Sequence, residues 1–150
     1  MVSESFLLII HNSIFSDNWA TPLAAHLMAL PLTLSGVGGA IFSQSASLTI
    51  INCKFIENFV LTGEFDAGSV GGAIALENSF PVVIKSTIFQ GNGAPGFFSS
   101  SSFSQPGSGG ALYVKFSAVN MSDDCIFEKN WASSGGAAPA IGGAVAGKKG

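Results

Sequence analysis

The sequence predicts an all-β chain wound as a right-handed parallel β-helix of about three and a half coils, and three observations carry that reading. Gly-Gly-Ala followed by an aliphatic residue occurs at Gly38–Ile41, Gly71–Ile74, Gly109–Leu112 and Gly142–Val145. Phe-x-x-Asn occurs at Phe15–Asn18, Phe55–Asn58, Phe89–Asn92 and Phe127–Asn130, in strict alternation with the first motif. From the first Gly to the Asn the chain runs 21, 22 and 22 residues (38–58, 71–92, 109–130), whereas the stretches from Asn to the next Gly-Gly-Ala are 19, 12, 16 and 11. A constant unit with an elastic connector is the signature of a solenoid coil.

Each constant unit reads as short strands of period 2, broken by Gly, Asn and Ser. In the unit 38–58 the first strand is Ala40–Ser43, the second Ser47–Ile51 and the third Cys53–Ile56. Leu48-Thr49-Ile50 matches Leu8-Ile9-Ile10 and Val82-Val83-Ile84, each ending five residues before the motif Phe. Val119-Asn120-Met121 lies one residue further from Phe127, which predicts a one-residue bulge. Stacked about 4.8 Å apart, equivalent strands form parallel sheets, and the chirality of parallel crossovers makes the winding right-handed. The interior is then a set of columns: Phe15, Phe55, Phe89 and Phe127; Ile10, Ile50, Ile84 and Met121; Ile41, Ile74, Leu112 and Val145. This accounts for 13 Phe against one Tyr and two Trp. The motif Asn is expected to take a left-handed turn and to bond its stacked neighbours. The Gly pair permits positive φ or close approach. The one helical candidate is Pro22–Leu30, in the longest connector.

The 150 residues suffice for a single domain, and the chain reads as a fragment of a longer repeat array. Only 10 % of the residues are charged, against about 25 % in an average soluble domain, but 47 % are apolar, which excludes charge-driven disorder. All six cations are Lys. With no Arg and no basic patch, nucleic acid is not an expected partner. The apolar run Leu23–Leu34 is bounded or broken by Pro22, His26 and Pro31 and falls short of the ~20 residues a membrane span needs. Nothing reads as a standard signal peptide, since Phe6–Ile10 has no positive charge ahead of it.

The paired motifs, together with Leu-Thr-Ile-Ile-Asn-Cys-Lys-Phe at Leu48–Phe55, resemble the repeats of polymorphic outer membrane proteins. These are autotransporter-type surface proteins and adhesins whose passenger is a β-helix of the pectin-lyase-like superfamily. The resemblance runs from about Phe6 to Val145. It implies an extracellular or outer-membrane location and a non-catalytic binding role, with a cell-surface protein or carbohydrate as partner.

The alternative within that superfamily is a carbohydrate-active enzyme, a polysaccharide lyase or glycoside hydrolase. The resemblance implies Asp clusters with Arg for such enzymes, or a Gly-His-Gly motif. Here Asp123-Asp124 is the only acidic pair, and His11 and His26 lie in no such motif. Adjacent strand residues point to opposite faces, so the pair does not flank a substrate unless it sits in a turn. No catalytic, cofactor-binding or metal-binding residues are therefore assigned. The acids show no calcium-loop spacing, and Glu57 and Glu128 are expected to face solvent. Asn120-Met121-Ser122 is the one glycosylation sequon.

The connectors all leave from one corner, and solenoids often bind through such a face. Trp19, Phe59, Gly93 and Trp131 follow the motif Asn residues, and Phe65, Phe97, Phe98 and Phe103 add to the aromatic supply. These side chains either form an adhesive or sugar-stacking ridge or fold back and seal the coil. Cys53 and Cys125 share one interior column with Ser13 and Thr87, two rungs apart. That is about 9.6 Å, beyond the ~7 Å limit for a disulfide. Apolar terminal coils also predict end-to-end self-association.

Overall fold

In the computed structural model the chain is described over residues 6–20, 37–61, 69–96, 107–122, 124–133 and 142–148. Sixteen strands follow one another: β1 (Leu7–His11), β2 (Ile14–Ser16), β3 (Trp19–Ala20), β4 (Ile41–Gln44), β5 (Ser47–Ile51), β6 (Lys54–Ile56), β7 (Phe59–Val60), β8 (Ile74–Glu77), β9 (Val82–Lys85), β10 (Ile88–Gln90), β11 (Gly93–Ala94), β12 (Leu112–Lys115), β13 (Val119–Ser122), β14 (Ile126–Glu128), β15 (Trp131–Ala132) and β16 (Val145–Lys148). They sort into four parallel sheets of four strands. The first is β1-β5-β9-β13, the second β2-β6-β10-β14, the third β3-β7-β11-β15 and the fourth β4-β8-β12-β16. Every fourth strand returns to the same sheet, one rung on. This is a right-handed parallel β-helix, and the strands fill four tiers.

The expected columns are present in register. Phe15, Phe55, Phe89 and Phe127 pair directly. Their rings stack at 4.8, 5.1 and 4.7 Å, within 9° of parallel. The spacing is that of the rungs themselves, so each ring lies flat on the next. Leu48, Ile50, Val82 and Ile84 line the first sheet, and Ile74, Leu76 and Leu112 the fourth, all at most 1 % exposed.

Single residues with positive φ turn the chain at three corners. Between the first and second sheets they are Asn12, Asn52, Ser86 and Asp124; between the second and third, Asp17, Glu57, Gly91 and Lys129; between the fourth and first, Ser45, Asn78 and Phe116. The left-handed residue is thus the one before the motif Asn, not the Asn itself. The Asn is held instead by its neighbours above and below. Asn58 shows the full set. Its Oδ1 accepts from the Asn18 backbone N–H (3.2 Å) and Nδ2 (2.8 Å), and its Nδ2 donates to Phe15 O (3.0 Å) and Asn92 Oδ1 (2.8 Å). Asn92 repeats the pattern with Asn130 and Phe55. A buried amide with every donor and acceptor used is a stabilising element, because any replacement orphans its partners.

The two glycines of Gly-Gly-Ala divide the two expected reasons between them. The first has φ of 58° to 67° at all four sites. The second is a close approach: a Cβ on Gly72 would lie 1.9 Å from Gly110 O.

Two features depart from the sequence reading. A two-residue strand after each motif Asn forms a third sheet that the period-2 pattern is too short to reveal. Also, β13 pairs with β9 without interruption from Val119 to Ser122. The extra residue therefore falls between β13 and β14 and is not a bulge within the strand. The helix expected at Pro22–Leu30 lies outside the described residues.

Candidate functional site

The third sheet is where the variable parts of the chain emerge. Each of β3, β7, β11 and β15 ends within two residues of a connector. The chain re-enters the stack at Val37, Val70 and Ser108, which bridge to one another in parallel. All the elastic lengths are thereby collected on one corner.

Alternation on these short strands sets what they present. Val60 and Ala94 point inward and are fully buried. Trp19, Phe59, Gly93 and Trp131 occupy the outward positions in register. Trp19 packs on Phe59 at 5.2 Å with a 55° tilt, and Phe59 meets Trp131 at 6.2 Å with a 48° tilt. That second contact spans the rung of Gly93. A Cβ there would lie 2.6 Å from the Trp131 ring and 2.8 Å from the Phe59 ring. Glycine at this rung lets two aromatic side chains two rungs apart touch. The result is one ridge in a tilted, edge-to-face arrangement, with Trp19 58 % and Trp131 41 % exposed. The rings therefore cover each other in part and still face solvent. Phe65, Phe97, Phe98 and Phe103, the other connector aromatics, lie outside the described residues.

The neighbouring corner carries Asp17, Glu57, Gly91 and Lys129, and Glu57 and Glu128 are exposed as expected. Among the described residues no three His, Cys, Asp or Glu side chains gather where they could hold a metal ion. Asp124 occupies an exposed turn, and its sequence neighbour at 123 lies outside the described residues. His11 is on the outer face of β1. The ion pair Glu77–Lys115 sits on the outer face of the fourth sheet. The hydrogen bond that Lys115 Nζ donates to the Glu77 carboxylate holds the Lys115 amine above its ordinary range. Cys53 and Cys125 are both free. Their Sγ atoms face the Ile10 and Ile84 carbonyls at 3.7 and 3.6 Å, in the column expected.

One surface feature has no counterpart in the sequence reading. A shallow notch of about 460 Å³ is lined by Phe80, Pro81, Val82, Val83, Ala118, Val119 and Asn120. It arises because four residues lie between Glu77 and Val82, against three between their partners Gln44 and Leu48, and Phe80 stands outward at 56 % exposure. The one extra residue of the unit 71–92 relative to 38–58, next to Phe80-Pro81, is the signal that marks it.

The fold and this corner define a class: a parallel β-helix built from internal repeats, with its variable segments gathered along one side. Within that class, residues 12–44 and 86–115 match the family model of the Chlamydia polymorphic membrane protein repeat. Those two segments are similar to this repeat, in agreement with the resemblance read from Gly-Gly-Ala and Phe-x-x-Asn. No curated protein and no solved structure matches the chain. Among the described residues no helix is long and apolar enough to cross a membrane, which leaves strand-built spans unaddressed.

Proposed function

We propose that this chain is a non-catalytic cell-surface or secreted β-helix of the adhesin or autotransporter-passenger type, binding a cell-surface protein or carbohydrate along the connector side. The observation that carries this is the exposed Trp19–Phe59–Trp131 ridge standing where every connector leaves the stack. Aromatic side chains of this kind supply large contact area and are enriched at binding surfaces. The polymorphic membrane protein repeat supports a surface setting. The interior, made of apolar columns and a satisfied amide ladder, holds no acidic or basic side chain among the described residues.

The test is binding of the fluorescently labelled chain to cultured epithelial cells, with Trp19→Ala and Trp131→Ala as variants. Loss of about tenfold in apparent affinity is expected if both rings are anchors, ~1.4 kcal/mol, with unchanged thermal melts. Protease or glycosidase treatment of the cells separates a protein partner from a glycan. Equal binding by the double variant removes the ridge from the reading. Release of reducing or unsaturated ends from pectate, abolished by Asp124→Ala, overturns the non-catalytic assignment.

A further inference from the structure

Two unrelated demands of the fold meet at residues 92 and 93. The third coil needs Asn at position 92, because that side chain is the rung of the buried amide ladder between Asn58 and Asn130. The outward column needs Gly at position 93, because a Cβ there would lie 2.6 Å from the Trp131 ring and 2.8 Å from the Phe59 ring. Together they spell Asn-Gly, which occurs nowhere else in the chain. Glycine has no Cβ to hinder its own nitrogen and leaves the backbone free to bend, so an Asn-Gly step in an open chain closes on itself readily. The Gly93 nitrogen loses its proton to solvent base and attacks Asn92 Cγ. The Cγ–Nδ2 bond breaks, ammonia leaves with a proton returned by the base, and a cyclic imide remains. Water then opens the imide at either carbonyl. One opening gives aspartate at position 92. The other routes the main chain through Cβ and Cγ, as isoaspartate. Water is consumed, ammonia is released, and nothing is oxidised or reduced.

We propose that Asn92 is a fold-gated modification site. The closed stack keeps it as the amide, whereas a chain whose third coil has opened is converted there to aspartate or isoaspartate and does not close again. The structure blocks each requirement of the ring closure. The Gly93 N–H is held by Asn58 O at 2.9 Å. The Asn92 amide is clamped from both sides. Its Nδ2 donates to Phe55 O (2.9 Å) and Asn130 Oδ1 (2.8 Å), and its Oδ1 accepts from the Asn58 backbone N–H (3.0 Å) and Nδ2 (2.8 Å). Asn92 is fully buried, so neither base nor water reaches it. Cγ can approach the Gly93 nitrogen only after these bonds part, which makes the reaction a reporter of local opening. The product blocks the return. A carboxylate has no donor for Phe55 O or Asn130 Oδ1, and its charge would be buried against both oxygens. Isoaspartate also adds an atom to the main chain between β10 and β11, which breaks the register of the third sheet. Nothing in this depends on the aromatic ridge binding a partner.

Peptide mapping by mass spectrometry of the full chain, with a protein isoaspartyl methyltransferase as the probe for isoaspartate, reads the conversion site by site. Held unfolded in guanidinium chloride at neutral pH, the chain should convert Asn92 ahead of every other asparagine. In the same buffer without denaturant the order should invert. Asn92 should slow at least about a hundredfold, because only the small open fraction reacts, and should fall behind Asn12 and Asn78, which precede Ser and hold exposed corners. Asn130→Ala removes the acceptor of the Asn92 backbone N–H and Nδ2 and should speed conversion of Asn92 in native buffer about tenfold or more. Asn52→Ala, which breaks only the exposed Asn12–Asn52 bond, should leave it unchanged. Asn92→Asp makes one product directly and should lower the urea midpoint well below that of the parent. Conversion of Asn92 at the unfolded rate in native buffer, no acceleration by Asn130→Ala, or a parent-like midpoint for Asn92→Asp each overturns the proposal.

Discussion

Changing Asn58 to Asp tests the amide ladder with almost no change in shape. Asn58 is fully buried. Its Nδ2 donates to Phe15 O and to Asn92 Oδ1, and a carboxylate has no donor for either. Two hydrogen bonds of ~1 kcal/mol each are lost. Two lone-pair oxygens are then left facing a buried negative charge, which raises the total to about 4–5 kcal/mol at pH 7. Protonation returns one O–H donor and removes the charge, so the loss should shrink to about 2 kcal/mol in acid. The sign follows from linkage. Burial and two facing oxygens raise the folded pKa of the new Asp above its unfolded value near 3.9. The folded state then binds more protons, and stability falls as pH rises between the unfolded and folded values. Urea melts at pH 4 and pH 7, against the parent at each pH, measure this. Asn52→Asp is the matched control, because its Nδ2 bonds Asn12 Oδ1 in an exposed ladder. It should cost under ~0.5 kcal/mol, as surface changes do. Equal effects at positions 58 and 52, or a pH-independent loss at 58, would refute the reasoning.

Truncating the ring column, by Phe55→Ala or Phe89→Ala, should cost ~3–5 kcal/mol in denaturant melts, since both rings are fully buried; under 1 kcal/mol for both removes the column as a core. Thiol titration of the unfolded, unreduced chain should find both Cys53 and Cys125 reactive, and no reactive thiol would break the assigned register. Glu57 holds positive φ at a corner where the next coil has Gly91, so Glu57→Gly should stabilise by ~0.5–1 kcal/mol and Glu57→Val should destabilise by ~1–2 kcal/mol. Equal midpoints for these two variants would show that backbone strain at the corner is negligible.

What was legible in the sequence is what repeats at fixed spacing. The columns of Phe15, Ile10 and Ile41 follow from matched positions in equal units, and parallel register then places Cys53 and Cys125 without further information. The third sheet was not legible, because Trp19-Ala20 or Gly93-Ala94 is too short to show alternation. The left-handed corners were assigned to the wrong residue for a related reason. Asn is the commonest non-glycine residue at positive φ, yet here the Asn side chain is used in the ladder, and Asp17, Glu57 and Lys129 carry the turn although two of them have no such preference. At the candidate site, the row of Trp19, Phe59, Gly93 and Trp131 could be named from its place after each Asn. That Trp131 reaches Phe59 over Gly93 could not, since it depends on rotamers that neither spacing nor composition encodes. The notch beside Phe80 was missed because a one-residue excess in one turn is below the variation the connectors already show.

The hydrogen bonds of all four sheets run along the stacking axis, from one coil to the next, and this gives the molecule a mechanical direction. A pull applied between the first and fourth coils passes through every interface between coils in series, across the hydrogen bonds of each rung, so the stack parts rung by rung from its weakest interface. A pull across the axis, between corners of different coils, instead loads the hydrogen bonds of the rungs between them together in shear. A solenoid of this kind resists sideways drag far better than extension, and a tether meant to hold under flow would be attached along its flank.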